Sequence, residues 1–181
     1  MASTEIRFTS YPKTAPPPDF IASVIPVFRA HELRIGTFQL KKGLTSDEVL
    51  KVLHNGLSDL GFEVESGKTK ADKIERPVFY GENGISTLRY QVDGYHKAWR
   101  CGLEIEAGRA WMGNAVYRDL IQAMVMVQVD HLLLAVPNRY AYKSGGRTTY
   151  SNDYENTIAV ADALYGHTRL TVPYGLTVIG Y

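Results

Sequence analysis

The amino-acid sequence predicts an α/β fold in which helices cover both faces of a mixed central sheet. Three observations lead to this prediction. An amphipathic helical pattern runs from Thr45 to Gly61, strand patterns separated by turns occupy residues 62–107, and the apolar run HLLLAV at 131–136 lies between two further helical patterns. Helices and strands that alternate along a chain are typical of helix-covered sheets. The uninterrupted apolar run predicts a central strand with both faces covered.

Length and composition predict one globular domain over residues 21–181. The chain has 181 residues, of which 45% are hydrophobic and 22% charged, enough to bury a sizeable core. Residues 1–20 contain three consecutive prolines at 16–18 and predict an extended N-terminal arm. The net charge of +1 neither indicates nor excludes nucleic acid, so a DNA-binding surface has to come from local clusters of basic residues.

The cysteine content and hydropathy predict the cellular setting. The sequence has one cysteine, Cys101, and no apolar stretch approaching 18 residues. One cysteine cannot form an internal disulfide, and a membrane-spanning helix needs about 20 apolar residues. We therefore expect a reduced, cytoplasmic protein that does not bind membranes, with Cys101 as a buried structural thiol.

The first half of the chain predicts two helices and a meander of strands. Residues 21–40 predict a short helix and a strand, because Pro26 argues against one continuous helix. Thr45 or Ser46 is the expected N-cap of the next helix, which ends at Gly61. Antiparallel strands follow, separated by a charged loop at 67–77 and by turns; they are Phe62–Glu65, Val78–Tyr80, Ile85–Asp93 and Trp99–Ala107.

The second half predicts two helices around a central strand. The apolar periodicity of residues 114–129 predicts a largely buried helix, which leads into the strand at 131–136. A loop rich in Gly, Ser and Tyr occupies residues 138–151. A helix at 153–165 and a strand at 175–180 complete the predicted elements.

Three acidic residues are predicted to come together on neighbouring strands. Glu104 and Glu106 point to the same side of one strand, with α-carbons roughly 7 Å apart. A hairpin with its turn at 94–98 would place Asp93 beside Glu104. Such a cluster repels itself unless a cation binds it. The alternative is a solvated strand face with ion pairs to neighbouring basic residues such as Arg100.

These residues carry a resemblance to a known superfamily. The order helix, three strands, helix, strand over residues 45–136, with Asp93 ending one strand and Glu104-Ile105-Glu106 in the next, resembles the PD-(D/E)xK nucleases, nearest to restriction endonucleases of the BamHI and BglII type. In this resemblance Asp93 matches the metal-binding Asp and Glu104 the second acid. Glu106 takes the place of the usual lysine, as in the BamHI type. The resemblance implies a restriction-endonuclease-like three-layer α/β/α fold.

The resemblance further implies a Mg²⁺-dependent deoxyribonuclease. Phosphodiester hydrolysis needs an activated water, stabilisation of developing charge and assistance to the leaving oxygen, all of which Mg²⁺ can supply. Asp93, Glu104 and the carbonyl oxygen of Ile105 would be the metal ligands, and Mn²⁺ can substitute for Mg²⁺. Glu106 would aid the activation of the attacking water.

Five further residues are weaker candidates for the site. Arg109 follows the acidic strand and would contact the scissile phosphate, and Arg118, Asp119 and Gln122 lie on the next predicted helix. Glu48 resembles in position an additional acid that some members use. The alternative for the three residues of the helix is a solvated helix face, and for Glu48 a favourable interaction with the helix dipole.

DNA, most simply double-stranded, is the expected partner. The loop at 67–77 contains several basic residues, and the loop at 138–150 combines basic residues with tyrosines; these compositions suit phosphate contacts and stacking. Because one chain carries one site, cutting both strands of a duplex calls for a homodimer. Two alternatives stay open: a nuclease fold without catalysis that binds nucleic acid or assembles a complex, and a different metal-dependent hydrolase or a small-molecule enzyme that uses two carboxylates as general acid and base.

Overall fold

The computed structural model describes residues 5–38, 43–108, 110–111 and 113–181. Within these ranges the helices are α1 (Ile21–Ala30), α2 (Glu32–Ile35), α3 (Ser46–Asp59), α4 (Ala115–Val125) and α5 (Asp153–Gly166). The strands are β1 (Arg7–Tyr11), β2 (Glu63–Val64), β3 (Ile74–Tyr80), β4 (Ser86–Val92), β5 (Gly94–His96), β6 (Cys101–Ile105), β7 (His131–Val136), β8 (Tyr140–Ser144), β9 (Arg147–Ser151) and β10 (Gly175–Gly180).

Six of these strands form a mixed sheet in the order β1-β10-β7-β6-β5-β2. The central strands β6, β7 and β10 run parallel, whereas β1, β5 and β2 pair antiparallel with their neighbours. Two antiparallel ribbons, β3–β4 and β8–β9, lie outside this sheet. The predicted mixed central sheet is thereby confirmed.

Helices cover both faces of the sheet, as predicted. All six residues of β7 are buried, and they alternate between two apolar layers. Leu133 and Ala135 pack with side chains of α1 and α3, while Leu132 and Leu134 pack in the layer that contains α4 and α5. The alternation follows from the two-residue repeat of a strand. The result is the three-layer α/β/α arrangement.

The N-terminus of α3 confirms the predicted cap. The Thr45 hydroxyl accepts a hydrogen bond from the Glu48 backbone N–H (3.3 Å), and the Glu48 carboxylate accepts one from the Thr45 backbone N–H (2.7 Å). This reciprocal pair satisfies donors that a helix N-terminus otherwise leaves unpaired. Apolar residues at helical spacing then fix α3 against the sheet: Val49, Leu50, Leu53 and Leu57.

Residues 21–38 differ from the prediction. The helix α1 continues through Pro26, although proline removes one helical hydrogen bond. Val24, Ile25 and Phe28 are fully or almost fully buried, and their packing offsets that loss. The expected strand is also wrong where it is described, because Glu32–Ile35 is helical.

The predicted strand meander is right for the β3–β4 pair and wrong for the next pairing. The strand β4 pairs with β3 but not with β6, and β3 begins at Ile74, inside the predicted loop. The antiparallel partner of β6 is β5, which occupies Gly94–His96, where a turn was predicted. Strands of three residues carry too little periodic signal to be recognised, and their pairing depends on non-local contacts.

Two other segments are more regular than predicted. Arg7–Tyr11, within the predicted arm, forms β1 and pairs with β10. The predicted loop at 138–151 contains the hairpin β8–β9, whose turn has Gly145 and Gly146 at positive φ. No helix of the described residues is both long and apolar enough to cross a membrane.

Candidate functional site

A polar cleft lies between the β3–β4 ribbon, the strand β6 and the helix α4. Its volume is about 430 Å³. Two of its arginines, Arg89 and Arg118, have side chains that are 52% and 58% exposed, so the cleft opens to solvent. The lining residues are Glu65, Lys73, Arg89, Tyr90, Gln91, Val92, Asp93, Glu104, Arg118, Asp119 and Gln122.

Asp93 occupies the junction between β4 and β5. Its carboxylate accepts a hydrogen bond of 2.7 Å from the backbone N–H of Ile105, and its carbonyl oxygen accepts one of 2.8 Å from the backbone N–H of Glu65. The expected proximity of Asp93 to the 104–106 segment is therefore present, although β5 and not β4 forms the hairpin with β6. Burial raises the pKa of Asp93 to about 6, against the lowering effect of the Ile105 hydrogen bond.

Glu104 lies on β6 with its side chain toward α4 and the cleft. Only 7% of the residue is exposed. Burial raises the pKa of Glu104 well above its usual value, and the nearby charges of Asp93, Asp119 and Glu106 raise it further. A carboxylate in such surroundings gains strongly from a cation.

Glu106 follows β6 and is held from two sides. Its carboxylate accepts a hydrogen bond of 2.8 Å from the Arg118 guanidinium. Its carbonyl oxygen accepts one of 2.6 Å from the Tyr181 hydroxyl, which fixes the backbone after the strand. Burial, followed by the charge of Asp119, raises the pKa of Glu106. Without a bound metal, Glu106 therefore keeps its proton through neutral pH, and a bound cation would lower its pKa and free the carboxylate to accept a proton.

Asp119 on α4 adds a fourth acid, which the sequence predicted only as a weaker candidate near the site. Its side chain is 1% exposed. Arg118 donates to its Oδ1 atom (2.9 Å), while Oδ2 has no hydrogen-bond partner among the described residues. Burial raises the pKa of Asp119. The sequence signal was available, because position 119 lies between Val116 and Leu120 on the buried face of the helix, where an acid is rare.

Two basic residues reach the cleft from the β3–β4 ribbon. Lys73 precedes β3 and forms an ion pair with Glu65; their side chains are 23% and 12% exposed. The hydrogen bond to Glu65 raises the pKa of Lys73, which therefore stays cationic. Arg89 lies on β4. The sequence analysis placed Lys73 in a DNA-contacting loop, and only the folded ribbon brings it beside the acids.

The weaker candidates separate into three groups. Arg118 and Gln122 line the cleft, as expected from their place on α4. The Glu48 carboxylate caps α3 through Thr45, and Glu48 does not belong to the cleft lining. Arg109 lies outside the described residues.

The donor set fits a hard divalent cation. Among the described residues, no three His, Cys, Asp or Glu side chains converge on one preformed metal position. Mg²⁺ does not need such a cage, because it commonly takes one or two carboxylates and completes its shell with water and substrate phosphate. The half-buried carboxylate of Asp93, the buried carboxylate of Glu104 and the unpartnered Oδ2 of Asp119 supply suitable oxygen atoms.

The fold has a counterpart among solved structures. The restriction endonuclease BglII, in a crystal structure with a DNA 16-mer, matches 97% of this chain and 75% of its own chain, with a TM-score of 0.50 and 11% sequence identity. No protein-family model and no curated protein matches the sequence. The chain therefore has a restriction-endonuclease-like fold, as the sequence predicted.

Proposed function

We propose that this protein is a metal-dependent nuclease that hydrolyses phosphodiester bonds in DNA. One observation carries the proposal: in a restriction-endonuclease-like fold, one cleft combines the half-buried acid Asp93 and the buried acid Glu104 with the cations of Lys73, Arg89 and Arg118. Acids suit the metal and the attacking water, and cations suit the phosphate. The structural neighbour BglII was solved with DNA, which supports DNA as the substrate.

Asp93, Glu104 and the Ile105 carbonyl oxygen would hold Mg²⁺, for which Mn²⁺ can substitute. When bound, the metal supplies Lewis-acid polarisation of the phosphate and a more acidic water. The hydrogen bond from the Ile105 amide orients Asp93, since it engages Oδ2 at 2.7 Å. Because Glu104 is only 7% exposed, its carboxylate is poorly hydrated and gains strongly from a bound cation.

Glu106 takes the place of the usual lysine in the proposed chemistry. Its carboxylate would accept a proton from the attacking water, while Arg118 holds it at 2.8 Å. Gln122 and Arg118, from the same helix, would contact the substrate at the edge of the cleft.

We further propose that the chain acts on double-stranded DNA as a homodimer. One chain presents one such cleft, whereas a duplex has two strands. The helix α4 exposes an apolar stripe, Tyr117, Ile121 and Val125, at 43%, 56% and 41% exposure. Because the residues that line the cleft lie on the adjoining side of α4, self-association through this stripe would set two clefts close together.

Sedimentation velocity tests the dimer. The wild type is expected to sediment as a dimer at micromolar concentration, and Ile121→Glu as a monomer with an unchanged circular dichroism spectrum. The control is Leu33→Glu, at a residue that is 85% exposed on α2, outside the stripe. A wild type that stays monomeric, with or without DNA, contradicts the dimer.

Cleavage assays test the nuclease. Supercoiled plasmid and linear duplex are incubated with Mg²⁺ or Mn²⁺ and with wild type, Asp93→Ala or Glu104→Ala. The control Asp59→Ala removes an exposed carboxylate outside the cleft. Cutting by wild type and control that is lost in both cleft variants supports the proposal. DNA binding without cutting in any metal would favour the alternative, a non-catalytic nucleic-acid-binding or assembly module.

A further inference from the structure

The strand pairing of the ribbon places Lys73 opposite Asp93. In the β3–β4 register Ile74 pairs with Val92, so the next positions along each strand are 73 and 93. Ile74 and Val92 point into the apolar core, at 9% and 1% exposure. Since neighbouring residues of a strand point to opposite sides, Lys73 and Asp93 both face the cleft, and both line it.

Glu65 holds Lys73 in this place. The Glu65 carboxylate pairs with the Lys73 ammonium group, and the Glu65 backbone N–H donates to the Asp93 carbonyl oxygen at 2.8 Å. Glu65 therefore connects Lys73 with Asp93 at the junction of β4 and β5. A lysine that is 23% exposed and ion-paired loses less freedom when it contacts a substrate than a solvated lysine does.

Lys73 supplies a positive charge to a cleft in which position 106 holds an acid and not a lysine. Glu106 is an acid at the position where the resembled superfamily usually has lysine, and the arginines of the cleft stand at its solvent-exposed rim, 52% and 58% exposed for Arg89 and Arg118. Lys73 is the most buried cation of the cleft lining. Fixed positive charge near developing negative charge stabilises a transition state most effectively in such a shielded place.

We infer that Lys73 is a catalytic residue whose ammonium group contacts a non-bridging oxygen of the scissile phosphate and stabilises the charge that develops there. The inference rests on the proposed nuclease function. It assigns to the β3–β4 ribbon a catalytic cation that the residue at 106 does not provide. A purely structural role, in which the ion pair with Glu65 only holds the ribbon in place, is the competing explanation.

Chemical rescue tests whether the ammonium charge is required, and the kcat and KM measured at equal folded fraction separate a catalytic from a purely structural role. Lys73→Cys removes the charge, and alkylation with 2-bromoethylamine restores an ammonium group at nearly the length of lysine, whereas iodoacetamide adds a neutral group. The native thiol does not interfere, because Cys101 is 0% exposed. We expect Lys73→Cys to lower kcat on the order of 10²-fold with little change in KM, bromoethylamine to restore at least a tenth of wild-type kcat, and iodoacetamide to restore none.

Control variants show whether a loss of cutting comes from the lost charge, from weaker folding or from an absence of nuclease activity. Lys70→Met, three residues away and outside the cleft lining, is expected to leave kcat within about twofold of wild type. If Lys73→Cys weakens folding, Lys73→Met and Lys73→Arg are compared at equal folded fraction; only the arginine variant is expected to retain cutting. A wild type that cuts and a Lys73→Cys protein that cuts equally well overturn this inference alone. A wild type that never cuts overturns the nuclease proposal together with it.

Discussion

The two faces of β6 are buried to a similar extent but contain opposite chemistry. On one face Cys101, Leu103 and Ile105 are 0–1% exposed and pack among the apolar residues of α1 and α3. On the other face Glu104 is 7% exposed and points toward α4. Alternate residues of one five-residue strand therefore serve the core and the candidate site.

This difference separates stability from function within one strand. Burial of apolar side chains stabilises the fold, whereas burial of carboxylates near one another destabilises it and raises their pKa values. A buried group of acids is typical of a site where a bound cation or substrate compensates for their mutual repulsion. The thiol of Cys101 shows the opposite case, because burial raises its pKa and makes it unreactive.

The largest expected effect comes from the acidic face. Glu104→Gln removes one negative charge at nearly constant volume, so we expect DNA cleavage to fall on the order of 10³-fold, ~4 kcal/mol, without loss of folding. Single-turnover cleavage and thermal unfolding measure the two quantities. Cleavage that stays within tenfold of wild type would remove Glu104 from the metal site.

A substitution on the apolar face should lower stability and leave cleavage nearly unchanged. Leu103 is 0% exposed, and Leu103→Ala is expected to lower the free energy of unfolding by about 2–5 kcal/mol through lost burial and the cavity left behind. Cleavage per folded molecule should change little. Urea denaturation and an active-site titration check this, and a loss of cleavage without a loss of stability would contradict the division between the faces.

Asp93→Asn should stabilise the metal-free protein at neutral pH. The folded state keeps the Asp93 proton up to about pH 6, whereas the unfolded chain releases it near pH 4. Between these values the folded state binds more protons, so wild-type stability falls as pH rises. The variant does not titrate there; its advantage should grow from pH 4 to 6 and stay at about 3 kcal/mol above that. Urea denaturation at pH 4.5 and 7.5 measures it, and an unchanged difference would contradict the raised pKa.

The smallest effect on cleavage is expected from a thiol reagent directed at Cys101. With Ellman's reagent the folded protein should release almost no thiolate over a time in which the urea-unfolded protein reacts completely, because the thiol is fully buried. Prolonged exposure of the folded protein should leave cleavage unchanged. Rapid reaction in the folded state would show that the apolar face of β6 opens.

Segments with a clear apolar pattern over several residues were predictable from the sequence. Thr45, Glu48 and the apolar positions after them specify α3, and the run HLLLAV specifies a central strand, because local periodicity and burial agree there. The alternation in CGLEI likewise specifies which residues of β6 face the core and which face the acids. These features depend on neighbouring residues only.

Pairing between short segments was not predictable in the same way. A hairpin of β4 with β6 and one of β5 with β6 satisfy local propensity equally well, and the packing of Val92 and Ile74 into the core decides between them. The β8–β9 hairpin is exposed over most of its length, so it carries little apolar alternation. Long-range contacts settle such choices.

The residues of the candidate site likewise fall into those that the sequence predicted and those that only the tertiary structure showed. By itself the sequence determined that Asp93, Glu104 and Glu106 belong together, because strand alternation and chain order bring these acids to one end of one sheet. Only the tertiary structure showed that Asp119 of α4, a weaker candidate by sequence, and Lys73 beside the β3–β4 ribbon line the same cleft. Their places depend on helix packing and strand register, which are set by the shared core and not by any local pattern.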